Sequence, residues 1–198
     1  MKKPELQAAI QAAAFALFAR QGYTATSMAQ IARAAGTTVA NLYSYCPSKL
    51  ALLYAVYRPW LEARLAALEA ELGRHRTPRR RLQRLFTGLW EEIPAADNGF
   101  ANTLIEALAA APEDTQKPDD LLRHAEAWLA RLIRDGLPPD RRAAIPAPML
   151  AHLAWMAFDG FAINRRLGDL RDIPGLARHF SALLLGDAAA EAGGTPAA

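Results

Sequence analysis

An all-α fold is predicted for this 198-residue chain by three observations. Apolar residues recur at helical spacing almost throughout, and no stretch sustains the two-residue period of a strand. Gly, Pro, Ser and Thr punctuate the periodic segments where helix caps belong. The composition, 52% hydrophobic and 22% charged, is that of a folded chain and far from a disordered one. The length suffices for one substantial core or two small ones.

The first helix is written by Leu6, Ile10, Ala14, Leu17 and Phe18, and Gly22 stands where a left-handed cap ends it. Ser27 and Gln30 form a capping-box pair ahead of Met28, Ile31, Ala32 and Ala35, and Gly36 closes this short second helix. Thr37 or Thr38 caps a third helix through about Tyr45. After Pro47, Ser48 caps a long fourth helix to about Leu72, which Pro59 is expected to kink or split. Further breaks fall at Thr77-Pro78, Pro94 to Gly99, Pro112 to Pro118, Gly136 to Pro148 and Gly168 to Pro174. Five more helical segments lie between them, for about nine helices in all. The domain organisation expected is 1–47 for an N-terminal three-helix domain, 48–185 for a helical body and 186–198 for a loose Ala/Gly-rich tail.

Some function classes are disfavoured at once. The two longest apolar stretches, Leu6 to Ala19 and Ala143 to Phe158, fall short of a membrane span and carry Gln or Pro and His. Lys2 and Lys3 imitate the start of a secretory signal, but Pro4, Glu5 and the glutamines make the segment amphipathic. The lone Cys46 cannot form an internal disulfide, which fits a reducing compartment and a cytoplasmic location. Cys46 is expected to be a small buried apolar group, a thiol tuned by the following helix being the sharper alternative. His75, His124, His152 and His179 lie in separate segments without His-x-x-x-His spacing, and no Gly-rich phosphate loop occurs. No metal, cofactor or enzymatic activity is therefore expected.

Charge is distributed unevenly. Residues 1–58 carry six cations against Glu5, a net of +5, whereas the remainder carries −2. A basic head suits a polyanionic partner. Two short helices turning on Gly36, the second with small polar side chains, describe a helix-turn-helix whose second helix enters the major groove.

The segment around it, ALFARQGYTATSMAQIARAAGTTVANLYSYCPSK, resembles the DNA-binding region of the tetracycline-repressor (TetR/AcrR) family over about residues 6–56. Gly22-Tyr23, Thr26-Ser27, Ile31-Ala32, Ala35-Gly36, Leu42-Tyr43 and Pro47-Ser48-Lys49 carry the likeness. It implies a homodimeric, ligand-responsive transcriptional regulator, most often a repressor of a palindromic operator in double-stranded DNA. Thr38, Val39, Ala40, Asn41 and Ser44 correspond to the positions that read base edges, where Asn41 suits adenine and the Ala40 or Val39 methyls suit thymine. Thr26, Ser27, Tyr43 and Lys49 match positions used on phosphates. Val39, Thr37 and Cys46 depart from the common pattern, so an operator sequence is not implied.

For the body, bulky side chains suggest a cavity for a small apolar or amphipathic effector. Trp90, Phe100, Leu104, Trp128, Met149 and Met156 are the expected lining, with His152 and Asp159 as polar groups that orient a ligand. The resemblance places the dimer seam on the last two helices, at Gly160, Leu167, Leu176, Phe180 and Leu183. It also couples effector binding to head spacing through the fourth helix, with Pro59 as a candidate hinge. The alternative reading is a helical dimeric adaptor or small-molecule-binding protein without DNA binding.

Overall fold

The computed structural model describes residues 3–112, 120–168 and 171–186. It is helical throughout these residues, without a strand. The chain divides into two compact units: Met1–Leu65 with Pro94–Lys117, and Ala66–Ile93 with Pro118–Ala198. Beyond Gly186, the expected tail lies outside the described residues.

The first unit opens with α1 (Lys3–Gln21), α2 (Met28–Ala34) and α3 (Val39–Tyr45), followed by α4 (Lys49–Leu72), which belongs to this unit as far as Leu65. All five residues of the predicted apolar face of α1 are buried. Gly22 follows at φ +81°, the left-handed conformation a helix end demands. Ser27 Oγ accepts the Gln30 N–H at 3.2 Å while Gln30 Oε1 accepts the Ser27 N–H at 2.7 Å, so the capping box is complete. Thr38, rather than Thr37, caps α3 by accepting the Asn41 N–H at 3.1 Å.

Pro59 does not split α4. Its neighbours Tyr57, Trp60 and Leu61 are all buried, and their packing compensates for the backbone bond that proline removes. After α4 this unit resumes in α6 (Ile93–Gly99), whose Pro94–Gly99 part belongs here, and in α7 (Asn102–Ala110). The turn is irregular: Asp97, Asn98 and Gly99 all have positive φ, so the predicted break at Pro94 to Gly99 is present. Phe100 is fully buried at the centre of an aromatic cluster, with ring centroids 4.8 Å from Phe15, 5.0 Å from Trp60 and 5.6 Å from Tyr57. Burial of each such ring contributes about 1.5–3 kcal/mol, which ties α1, α4 and the 94–101 segment together.

The second unit is built on α5 (Pro78–Thr87), a π-helical turn (Gly88–Glu92), α8 (Asp120–Gly136), α9 (Pro139–Ala144), α10 (Ala147–Arg166) and α11 (Ile173–Leu185). Thr77 caps α5 through the Arg80 N–H and Pro78 occupies its first turn. The short α9 forms inside a span read from the sequence as a break. Its N-terminus is set by Pro138-Pro139, and none of its residues is buried. In the packing, α10 lies along α8, and α11 lies along α5. Leu82, Leu85, Phe86, Leu89, Leu129, Ile133 and Phe158 form the centre of the core. Gly88 lets Leu68 approach the π-turn, since a Cβ there would stand 2.5 Å from Leu68 Cδ1.

Candidate nucleic-acid interface

The third helix is a seven-residue rod held by one side chain. Leu42 is completely buried, whereas Thr38, Val39, Ala40, Asn41, Tyr43 and Ser44 are exposed. The turn before it reverses at Gly36, whose φ of +66° is the left-handed value that favours glycine. Asn41 Nδ2 donates to Thr37 Oγ1 at 2.8 Å, and Ser44 Oγ donates to the Asn41 carbonyl at 2.6 Å. The Thr37 bond holds the Asn41 side-chain amide against the start of the helix. Tyr43 is half exposed, at 50%.

Residues matched to phosphate positions divide into two groups. Ser27 and Tyr43 are exposed. Thr26 is buried, and its hydroxyl donates to the Gly22 carbonyl at 2.7 Å, so this side chain is occupied in holding the turn between α1 and α2. Lys49 is partly buried and its Nζ donates to the Tyr23 and Thr26 carbonyls, both at 3.0 Å, while lying 4.1 Å from the centre of the Tyr23 ring. Burial lowers the Lys49 pKa, and the charge of Glu106 acts against that. Glu106, in α7, accepts the Tyr23 N–H at 2.7 Å and the Thr24 N–H at 3.2 Å. Sequence reasoning missed it: the signal was a lone charge between Asp97 and Glu113, with nothing to connect it to Tyr23.

Cys46 is buried at the end of α3, and burial raises its thiol pKa above the ordinary value. That environment keeps the thiol protonated and is the reverse of what activates a redox cysteine.

The eight residues expected around an effector are distributed over both units. Phe100 and Leu104 belong to the first, Phe100 as the hub of its aromatic cluster and Leu104 half-buried on α7. In the second, Trp90 stacks on Phe86 at 4.8 Å and donates its Nε1–H to the Ala154 carbonyl at 2.9 Å. Trp128 donates to Glu69 Oε2 at 2.7 Å, beside the two bonds of 2.8 and 2.9 Å that Arg131 makes to the same carboxylate. The Arg131 bonds, together with Trp128, hold the Glu69 pKa below the usual range against its partial burial. Met149, His152 and Met156 are on the exposed side of α10, where His152 Nδ1 lies 2.6 Å from Glu126 Oε1. Asp159 is partly buried, and desolvation raises its carboxyl to about 6. A cleft of about 230 Å³ in this unit is lined instead by Glu69, Leu72, Gly73, Arg81, Leu82, Leu85, Arg131, Leu132, Asp135 and Gly136.

Of the residues expected at a dimer seam, Leu167, Leu176 and Leu183 are exposed, and Gly160 has open space where a Cβ would project. Phe180 is partly buried, edge-on to Phe86 at 4.8 Å. Among the described residues no group of three or more His, Cys, Asp or Glu is placed to hold a metal ion, and no helix is long and apolar enough to cross a membrane.

A short capped helix presenting polar side chains beyond a glycine turn, within an all-α chain, defines a helix-turn-helix protein. Residues 10–56 match the model of the bacterial regulatory proteins of the tetR family. That segment is the part of the chain similar to the tetR family, and it contains the motifs around Gly22, Gly36 and Leu42.

Solved structures extend the likeness to the whole fold. The transcriptional regulator FadR from Bacillus subtilis, in complex with stearoyl-CoA, is 16% identical with a TM-score of 0.67, covering 91% of this chain and 98% of that one. The fatty acid degradation regulator FadR from Bacillus halodurans is 17% identical with a TM-score of 0.65, covering 93% and 96%. A TetR transcriptional regulator from Legionella pneumophila is 20% identical with a TM-score of 0.61, covering 93% and 98%. At these identities what is shared is the fold, that of TetR-family transcriptional regulators. No match was found among curated proteins.

Proposed function

We propose that this protein is a sequence-specific DNA-binding repressor that acts in the cytoplasm as a homodimer on a palindromic operator and is released by a small apolar or amphipathic effector. The observation that carries the reading is α3, which buries Leu42 and exposes Thr38, Val39, Ala40, Asn41, Tyr43 and Ser44. This is the inventory of major-groove recognition: an amide, methyl groups and hydroxyls on a rod narrow enough for the groove. The net +5 of residues 1–58 supplies long-range attraction to phosphate.

Dimerisation is supported by apolar side chains left exposed on the last two helices. Met149, Leu153, Met156 and Ile163 of α10 and Leu167 just after it, with Leu176 and Leu183 of α11, are each at least 43% exposed. Exposed apolar surface of this extent on one helix is characteristic of a surface that meets a partner. The domain limits proposed are 1–47 for DNA binding and 48–185 for effector binding and dimerisation. In the effector reading, Glu69, Arg81 and Arg131 supply polar groups beside the apolar Leu72, Leu82, Leu85 and Leu132 of the cleft, and Asp159 is a partly buried polar group on α10 outside that lining. The stearoyl-CoA complex of the Bacillus subtilis FadR makes acyl thioesters the first compounds to try.

The test is selection of duplexes from a random-sequence pool by the purified protein, followed by binding titrations across salt concentrations. A palindromic product is expected, with affinity falling steeply as salt rises. Binding without salt dependence, or no enriched sequence, would favour the adaptor reading.

A further inference from the structure

The turn between α1 and α2 is gripped on several sides. Glu106 accepts the N–H groups of Tyr23 and Thr24, Lys49 donates to the carbonyls of Tyr23 and Thr26, and Thr26 Oγ1 donates to the Gly22 carbonyl. Gly22 has a double reason to be glycine. Its φ is +81°, and a Cβ there would stand 2.8 Å from Glu106 Oε2 and 3.0 Å from Oε1, so the missing side chain is what admits the carboxylate. Glu106 is 83 residues away from Tyr23 and lies in α7, outside the helix-turn-helix.

The consequence follows from helix length. With seven residues each, α2 and α3 are too short to be stable alone, so their placement depends on what anchors them. The turn 22–26 sets how α2 leaves α1, and α3 follows α2 through the Gly36 turn. Carboxylate-to-amide bonds are among the stronger hydrogen bonds a protein makes, and here two of them fix that departure.

We propose that Glu106 is a positioning residue for DNA recognition: from α7 it holds the 22–26 turn, and the orientation of α3 for base reading depends on that hold. The inference rests on the DNA-binding reading above. It makes α7 a handle on the head, since displacing Glu106 frees the Tyr23 and Thr24 amides without altering a side chain of α3.

The experiment compares wild type, Glu106→Ala and Glu106→Gln on two duplexes, one selected by the wild type from a random pool and one scrambled in sequence. Active fractions come from stoichiometric titration, and backbone exchange at residues 22–26 is followed by hydrogen–deuterium exchange. Glu106→Ala is expected to lose about tenfold or more on the selected duplex but little on the scrambled one, with faster exchange at Tyr23 and Thr24. Glu106→Gln, which keeps an acceptor but not the charge, is expected to fall between; it decides the matter if the alanine variant does not fold. Equal losses on both duplexes, or selected-duplex affinity within about twofold of wild type, overturn the proposal. A wild type that selects no duplex overturns the DNA reading itself.

Discussion

The indole N–H of Trp60 donates to Asp97 Oδ2 at 2.7 Å, and Arg64 reaches the same oxygen at 2.6 Å. These bonds hold a turn the backbone resists: Asp97 and Asn98 have φ of 50° and 60°, and Gly99 continues at +75°. Left-handed conformation costs a non-glycine residue about 1–2 kcal/mol, less for Asp and Asn. Burial by itself would raise the Asp97 carboxyl, but the two donors outweigh it and keep it below the ordinary value.

Asp97→Ala should therefore destabilise the chain by about 2–3 kcal/mol in urea unfolding, because the strain remains while Trp60 and Arg64 lose their acceptor. Since the folded pKa is depressed, this contribution is present above the unfolded value and fades as pH falls through the folded one. Asn98→Gly should be neutral or stabilising by up to about 1 kcal/mol. Unchanged stability in Asp97→Ala would mean that the turn is held by packing.

Asp159 predicts a pH dependence of opposite sign. Desolvation raises its pKa from 3.8 to about 6, so the fold disfavours the ionised form. The penalty is absent below the unfolded pKa, develops as pH rises towards 6 and is complete above it. Asp159→Asn should be more stable than wild type at pH 7.5, by on the order of 1 kcal/mol, and the difference should vanish near pH 3.5. Parallel stability curves for the two proteins across that range would exclude this role for burial.

On α10, Met149, Leu153 and Met156 are exposed at 63%, 53% and 58%. Met156→Arg or Leu153→Arg should convert a dimer to a monomer at micromolar concentration in sedimentation velocity, with far-UV circular dichroism retained, because like charges would meet across a two-fold axis. An unchanged sedimentation coefficient would place the dimer contact elsewhere.

Asn41 and Tyr43 should respond differently to substitution. Asn41→Ala is expected to relax preference at one base pair by about 1–3 kcal/mol. Tyr43→Phe should weaken binding to every sequence alike, as loss of a phosphate contact does. A titration over operator variants separates the two patterns, and the reverse assignment would refute the geometry proposed for α3.

Much of the head was legible in the sequence because its determinants are local. Ser27 with Gln30, a threonine at 37 or 38 ahead of Val39, and the left-handed Gly22 and Gly36 act over one helical turn, so their spacing alone announces α1, α2 and α3. Leu42 as the buried anchor of α3 follows from the same periodicity. At Pro59, where a kink or a split was expected, the helix is not split, and Tyr57, Trp60 and Leu61 are buried around it.

The apolar residues of α10 show a second limit. Periodicity identifies Met149, Met156 and their neighbours as a helical face, but whether that face lies in a cavity, in the core or at the surface depends on which elements pack beside it. The sequence by itself determined the helical class, most of the caps and the short third helix, since each arises from side chains within a few residues of the backbone they organise. Tertiary structure decided that Phe100 is an aromatic hub, that Thr26 and Lys49 are partly committed to holding a turn, and that Glu106 grips it. Those relationships join residues more than 80 positions apart, Phe15 with Phe100 and Tyr23 with Glu106, and contacts between distant segments exist only once the chain has brought them together.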